Sequence, residues 1–398
     1  MSQLHHLLTF PTRPVTEDYV TKLKKLLASG IPATYTLEQV AAFEKNGTDE
    51  VSESASNTTP LHILARSLPL DLSEDETSTV LTMMDTLFEY GAGWNFIDYE
   101  DKTVVDLLVE RGQKKSGVLY QRVVDAGVSA ELLLRKLNGG EIEFLESPQE
   151  EEEAVVADDS TASNQQDAED AVVADDSTAS NQQVYLNTKL EYNDNALVTK
   201  QNRDGVMMDW ETNIMELAAN TICLQNTPEL TVLNIGFGMG IIDTFISSHS
   251  PHKHYICEAH PDVLAKMRAD GWYDRPNVVI LEGRWQDTLN TLLDQGSIFF
   301  DGIYYDTFSE HYNDMLDLYD LVVGLLKPDG VFSFFNGLGA DRPLCYDVYN
   351  KIVALDLQDY GLNYQYTTVS VPTDKQWHSV KRSYFNSNYY YHPSIQFR

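Results

Sequence analysis

Cysteine is scarce in this chain. Only Cys223, Cys257 and Cys345 occur in 398 residues, far apart and without a C-x-x-C pair, which excludes a disulfide framework and a cysteine-based structural zinc site and suits a reducing compartment. Basic residues are few as well: 28 Lys and Arg stand against 61 Asp and Glu, a net charge of −33. That balance repels a phosphate backbone, so no direct nucleic-acid binding is expected, and it favours basic partners or cationic substrates. No apolar run reaches the roughly 18 residues that a bilayer crossing requires. The N-terminus, MSQLHHLLTFPTRP, has no basic stretch followed by a long apolar one, so neither a secretory signal nor membrane association is expected. The ten His are scattered, and no metal site is expected; His5, His6, His249, His252 and His254 read as solvated. The expectation is a soluble intracellular protein.

What is present is enough apolar material, 42% hydrophobic and 11% aromatic residues, for a folded chain, and its length favours two domains over one. The boundary is plain. AVVADDSTASNQQ at 154–166 recurs identically at 171–183, a polar tract with no apolar face whose burial could offset backbone ordering. The division expected is residues 1–145, an acidic low-complexity linker at 146–183, and a second domain at 184–398. Within the first, NTTPLHILARS at 57–67 and KTVVDLLVERG at 102–112 read as two starts of helix pairs, the second degenerate. The pattern resembles ankyrin units, with an insertion around Leu70 to Thr79 and a further helix at Gly127 to Leu137. Such stacks commonly bind proteins on their turns.

Past the tract, apolar strands alternate with helical periods, as in a parallel sheet covered on both faces. Strands are expected at Thr231–Ile235, Lys253–Cys257, Asn277–Glu282, Phe299–Tyr305 and Val331–Phe335, with two more at Tyr364–Val371 and Tyr384–Tyr391. A helix is expected between Phe308 and Leu326, closed by the turn Lys327-Pro328-Asp329-Gly330. The fold class expected is α/β, a Rossmann-like seven-stranded sheet preceded by a small all-α domain.

Gly236, Gly238 and Gly240 follow the first of these strands directly, where glycines let backbone approach a ligand at a helix N-terminus. A dinucleotide fingerprint needs its third glycine one position later, where Ile241 stands. The G-x-G-x-G spacing matches the first motif of S-adenosylmethionine-dependent methyltransferases. Glu258 ends the next strand, where a carboxylate can accept both hydroxyls of a ribose. The segment Glu282-Gly283-Arg284-Trp285-Gln286-Asp287 could bracket an adenine. Asp306 ends the fourth strand and so points into the ligand crevice, while GVMMDWETNIMELA at 205–218 carries Glu211 on what reads as a helix. Two carboxylates, Glu211 and Asp306, suit a guanidinium, which takes bidentate hydrogen bonds.

With MMDWET at 207–212, GFGMGI at 236–241, the Cys257-Glu258 pair, FDGIYYDT at 300–307 and LLKPDGVFSFFN at 325–336, the chain from Tyr185 onward resembles guanidinoacetate N-methyltransferase. With the ankyrin-like N-terminus and EAHP at 258–261, the whole is similar to the fungal protein arginine methyltransferases that modify the delta (N5) nitrogen. The resemblance implies S-adenosyl-L-methionine as cofactor, bound by Tyr192, Met207, Met215, Phe237, Gly238, Met239, Gly240, Ile241, Ile242, Glu258, Ala259, His260, Trp285, Gln286 and Asp306. It implies Glu211 and Asp306 as the guanidino-binding, catalytic carboxylates. It also implies a basic protein substrate with an exposed arginine, ribosomal proteins among the candidates, in cytoplasm and nucleus. One departure is Thr212-Asn213-Ile214-Met215, where the small-molecule enzymes have Thr-Pro-Tyr-Met. Two alternatives stay open: a small-guanidine methyltransferase, and an inactive scaffold with this fold.

Overall fold

The computed structural model describes residues 3–48, 56–138, 182–193, 195–224, 228–308, 310, 312–372, 377, 380–381 and 383–398. Most of the expected linker lies outside the described residues; only 182 and 183 are within them, at the start of a helix. The chain divides into two units, Met1–Gly139 with Leu338–Ile352, and Gly140–Gly337 with Val353–Arg398.

The first unit is helical: α1 (Gln3–Leu7), α2 (Glu17–Ala28), α3 (Leu37–Asn46), α4 (Pro60–Ser67), α5 (Glu74–Glu89), α6 (Val104–Glu110) and α7 (Val118–Asn138). Packing forms two rows, α1 on α4 on α6 and α2 on α5 on α7, around buried Leu4, Leu23, Leu64, Met84 and Leu108. The Thr-Pro-Leu-His start works through its cap. His62 Nδ1 lies 2.8 Å from Thr59 Oγ1, and Nε2 lies 3.1 Å from the Phe96 carbonyl oxygen, so one side chain caps α4 and holds the following turn. In the degenerate start Asp106 replaces it, accepting from the Thr103 amide at 2.9 Å and its hydroxyl at 2.6 Å. The segment read as an insertion holds the capped start of α5, with Ser73 accepting from the Glu76 amide. The helix expected at Gly127 to Leu137 is the second half of α7. Leu338–Ile352 supplies Asp347, which accepts from the Tyr120 hydroxyl at 2.6 Å.

The second unit continues with α8 (Gln182–Asn187), β1 (Leu190–Asn193), β2 (Ala196–Thr199), β3 (Gly205–Met208), α9 (Thr212–Ile222), β4 (Thr231–Ile235), α10 (Ile241–Ser248), β5 (Lys253–Glu258), α11 (Pro261–Ala269), β6 (Val278–Glu282), α12 (Trp285–Gln295), β7 (Phe300–Tyr305), α13 (Tyr312–Leu325), β8 (Leu326–Phe334), α14 (Pro343–Asp359), which begins in the first unit, β9 (Leu362–Ser370) and β10 (Tyr389–Phe397). Seven strands form one sheet in the order β6-β5-β4-β7-β8-β10-β9, parallel from β6 to β8 and antiparallel at β10. This is the α/β class with the expected strand number.

Four expectations need correction. Gly205–Met208 is not helix but the last strand of a separate three-stranded sheet, β1-β2-β3; each of its strands is four residues long, too short for an alternation to show. Tyr384 precedes the final strand, which runs Tyr389–Phe397. The Lys327 to Gly330 turn falls inside β8, whose pairing with β7 jumps from Leu326 to Val331. His5 and His254 are not solvated: both are fully buried, with His5 Nε2 3.0 Å from the Tyr35 carbonyl oxygen and His254 Nε2 2.9 Å from Asp243 Oδ1.

Candidate active site

Sheet order reverses direction about β4 and β7, and in an open α/β sheet the crevice at the carboxyl ends beside such a reversal receives the ligand. The glycine turn stands there. Gly236, Gly238 and Gly240 all have positive φ, at 95°, 55° and 73°, a region that side chains disfavour. A Cβ on Gly236 would collide with the Asp306 carbonyl oxygen, so the turn and the residue after β7 meet backbone to backbone. The Asp306 amide donates to the Ile235 carbonyl at 2.9 Å. A Cβ on Gly238 would come 2.9 Å from Met207 Cε, and the Met239 amide donates to Met207 Sδ at 3.3 Å. From β1, the Tyr192 hydroxyl donates to the Gly238 carbonyl at 3.0 Å.

Glu258 ends β5 with its carboxylate held by backbone. Oε2 accepts from the Phe237 amide at 2.9 Å, and Oε1 from the Ala259 and His260 amides at 2.8 and 2.7 Å. Burial raises its pKa against the pull of these amides. A cavity opens beside it, lined by Tyr185, Met207, Gly236, Gly238, Glu258, Ala259, Trp285, Asp306 and Glu310, among others.

The other residues named from the sequence fall into distinct places. Phe237 turns its ring away, edge-on to Trp272 at 5.3 Å, and serves through its amide. Gly240 caps α10, which Ile241 and Ile242 begin; Ile242 is core. Met215 is fully buried and takes the Tyr304 hydroxyl at 3.5 Å. His260 is spent on structure: Nδ1 accepts from the Asp262 amide at 3.1 Å, and Nε2 lies 3.1 and 3.0 Å from the Tyr185 and Thr188 carbonyls. Trp285 Nε1 donates to both oxygens of Glu310, at 2.8 and 2.9 Å, and Gln286 Nε2 donates to one at 3.3 Å.

Glu211 is buried and Asp306 half-buried, and Asp306 raises the pKa of Glu211 beyond the effect of burial itself. Desolvation also holds Asp306 well above the usual carboxylate range. Glu211 Oε1 accepts from the Met208 amide at 2.9 Å and from the Tyr384 hydroxyl, whereas Asp306 Oδ2 is buried with no hydrogen-bond partner. Two carboxylates so poorly solvated, one oxygen left open, form a site that a cation would complete. Aromatic rings surround it: Trp210 lies 6.3 Å from Tyr384 and 5.5 Å from Phe385, and Trp377 lies 4.8 Å from Tyr384.

Sequence reading missed Tyr384, Tyr185 and Glu310. Tyr384 lies 173 positions from its partner Glu211, a separation no local pattern reports. Glu310 was legible only as an acidic residue close behind Asp306. Among the described residues, no group of His, Cys, Asp and Glu is placed to hold a metal ion, and no helix is long and apolar enough to cross a membrane.

Known proteins resemble this chain in sequence. The family model for guanidinoacetate N-methyltransferase matches residues 176–356. Curated relatives called protein arginine N-methyltransferase 2 align end to end: that of Saccharomyces cerevisiae is 64% identical over all of both chains, and that of Candida glabrata 63%. The Yarrowia lipolytica relative is 40% identical over 99% of this chain and 97% of its own. This chain belongs to the protein arginine N-methyltransferase 2 family. Among solved structures, the O-methyltransferase TomG of Streptomyces achromogenes, in complex with SAM, matches with a TM-score of 0.34 at 14% identity, over 48% of this chain and 81% of its own.

Proposed function

We propose that this protein transfers a methyl group to the internal, delta (N5) nitrogen of arginine in a protein substrate, with Asp306 and Glu211 as its catalytic carboxylates. The observation that carries this reading is the pair of buried Glu211 and half-buried Asp306, whose Oδ2 is shut from solvent without a partner. The cofactor is S-adenosylmethionine, and the residues fit it: the glycine turn leaves room at the backbone, and Glu258 is fixed by three amides. When bound, it supplies a methyl group activated by a sulfonium. Glu258 retains acceptor capacity for a ribose hydroxyl, since three amides leave about one of a carboxylate's roughly four acceptor sites open. Met207 and Trp285 line the same cavity.

A planar guanidinium presents paired N–H groups that match carboxylates. With Glu211 clamping the terminal nitrogens, Asp306 is the carboxylate left to orient the reacting nitrogen and to take the proton it loses as its bond to the methyl group forms and the methyl–sulfonium bond breaks. Protonated, a guanidinium is a poor nucleophile; Asp306, with its raised pKa, is suited to accept the proton near neutrality. The net charge of −33 supports a basic protein substrate, ribosomal proteins being candidates in cytoplasm and nucleus. The paired helices of the first unit, with the His62 cap, support an ankyrin-like module that binds protein.

The test is to incubate the protein with methyl-labelled cofactor and a basic protein extract, hydrolyse, and identify the labelled amino acid. Delta-methylarginine is expected. Label on terminal nitrogens, or only on a free small guanidine, overturns the reading.

A further inference from the structure

Glu310 receives side-chain donors from three separated segments. From α8 comes Gln182 Nε2. At the start of α12 are Trp285 Nε1, 2.8 and 2.9 Å from its two oxygens, and Gln286 Nε2 at 3.3 Å. From the end of β7 and the residues after it come the Tyr305 hydroxyl and, at 2.6 Å, Thr307 Oγ1. Every one of these donors is a neutral group, and a carboxylate offers only about four acceptor sites. Its capacity is therefore spent on protein, not kept for a ligand.

Where the donors lie gives the arrangement its meaning. Tyr305 and Thr307 flank Asp306 in sequence, and along extended chain alternate side chains point to opposite sides. Both flanking side chains are held by Glu310, which leaves Asp306 to the opposite side, where its charge acts on Glu211. Trp285, whose ring lines the cavity, has its plane fixed by a two-oxygen contact.

We propose that Glu310 is a positioning residue that ties the Trp285 wall of the cofactor cavity to the backbone carrying Asp306, so that one carboxylate sets both. This rests on the reading of the cavity as the cofactor site. Glu310 lines the same cavity as Trp285, but its oxygens face protein donors. It acts through the two residues it holds.

The test uses the full chain, S-adenosylhomocysteine as probe in calorimetry, and the ¹⁵N-indole NMR signal of Trp285, assigned from Trp285→Phe. In Glu310→Ala that signal should move upfield, and probe affinity should fall about tenfold, the size of one charge-assisted hydrogen bond. Glu310→Gln, which keeps one acceptor oxygen, should recover part of the loss. The double variant Glu310→Ala with Trp285→Phe should bind no more weakly than the worse single one, because both remove the same restraint. Unchanged affinity in folded Glu310→Ala, or losses that multiply in the double variant, overturns the proposal; a purely structural role would lower the melting temperature and leave the affinity alone. If Glu310→Ala does not fold, Glu310→Gln with Trp285→Phe provides the same cycle. Failure of the parent chain to bind the probe overturns the cofactor reading itself, an outcome distinct from a variant that binds like the parent.

Discussion

In the proposed reaction Asp306 and Glu211 carry the chemistry: desolvation raises the pKa of both carboxylates, and the charge of Asp306 raises that of Glu211 further. Asp306→Asn keeps the shape but removes the base and half the negative charge. Transfer should fall by about 10² to 10⁴-fold, the span of a general base, while S-adenosylhomocysteine affinity stays within a few-fold in calorimetry. Since both pKa values are raised, the pair retains protons near neutrality that a bound guanidinium must displace. The kcat/KM for the guanidino substrate should therefore climb with pH through the range where the pair ionises. The Tyr384 hydroxyl lowers the Glu211 pKa, so in Tyr384→Phe the climb should move to higher pH; a shift the other way counts against the assignment. Stability has the opposite sign. The folded values exceed those of the unfolded chain, so the native state binds more protons between them and loses stability as pH rises across that window. Glu211→Gln should thus melt above the parent at about pH 8, with the gap closing toward about pH 4, the unfolded carboxylate range.

At the scale of elements, the strand-turn-helix unit from β4 through the glycines to α10 was legible in order, and β4 in its bounds, because a buried parallel strand is a continuous apolar run and glycines mark the turn. The reason for Gly236 was not legible. Its φ of 95° and the Asp306 carbonyl beside it are products of the β4–β7 pairing. Gly236→Ala should cost about 1–3 kcal/mol through backbone strain, and more through the collision, so thermal melting should drop by several degrees and probe binding should weaken with it. A variant that melts and binds like the parent would show that the turn tolerates a side chain. The small sheet β1-β2-β3 and the displacement of β10 were missed for a different reason: short or aromatic-rich segments carry no clear period, and their pairing partners decide their bounds.

For the whole molecule, the division of the chain does not follow its order. Leu338–Ile352 groups with the first unit, where Tyr346, Val348 and Ile352 are fully buried and Asp347 holds the Tyr120 hydroxyl. Cutting at the acidic tract would strand this segment. A fragment of residues 182–398 should therefore melt well below the full chain and aggregate through the uncovered apolar residues; equal melting and solubility would mean that the segment needs no cover from the first unit.

The amino-acid sequence alone determined the strand-helix alternation, the glycine turn and the carboxylate ending β5, because each is a local pattern of period, turn chemistry or residue type; it named Glu211 and Asp306 but not their meeting. Tertiary structure alone decided that Asp306 keeps an open oxygen, that Tyr384 closes on Glu211 across 173 positions, that His260 is spent on carbonyls and that Glu310 gathers three segments. Those depend on burial and on contacts between distant segments, which a linear pattern does not carry. The turn after β4 announced a ligand; the fold around it gave that ligand's neighbours their charge.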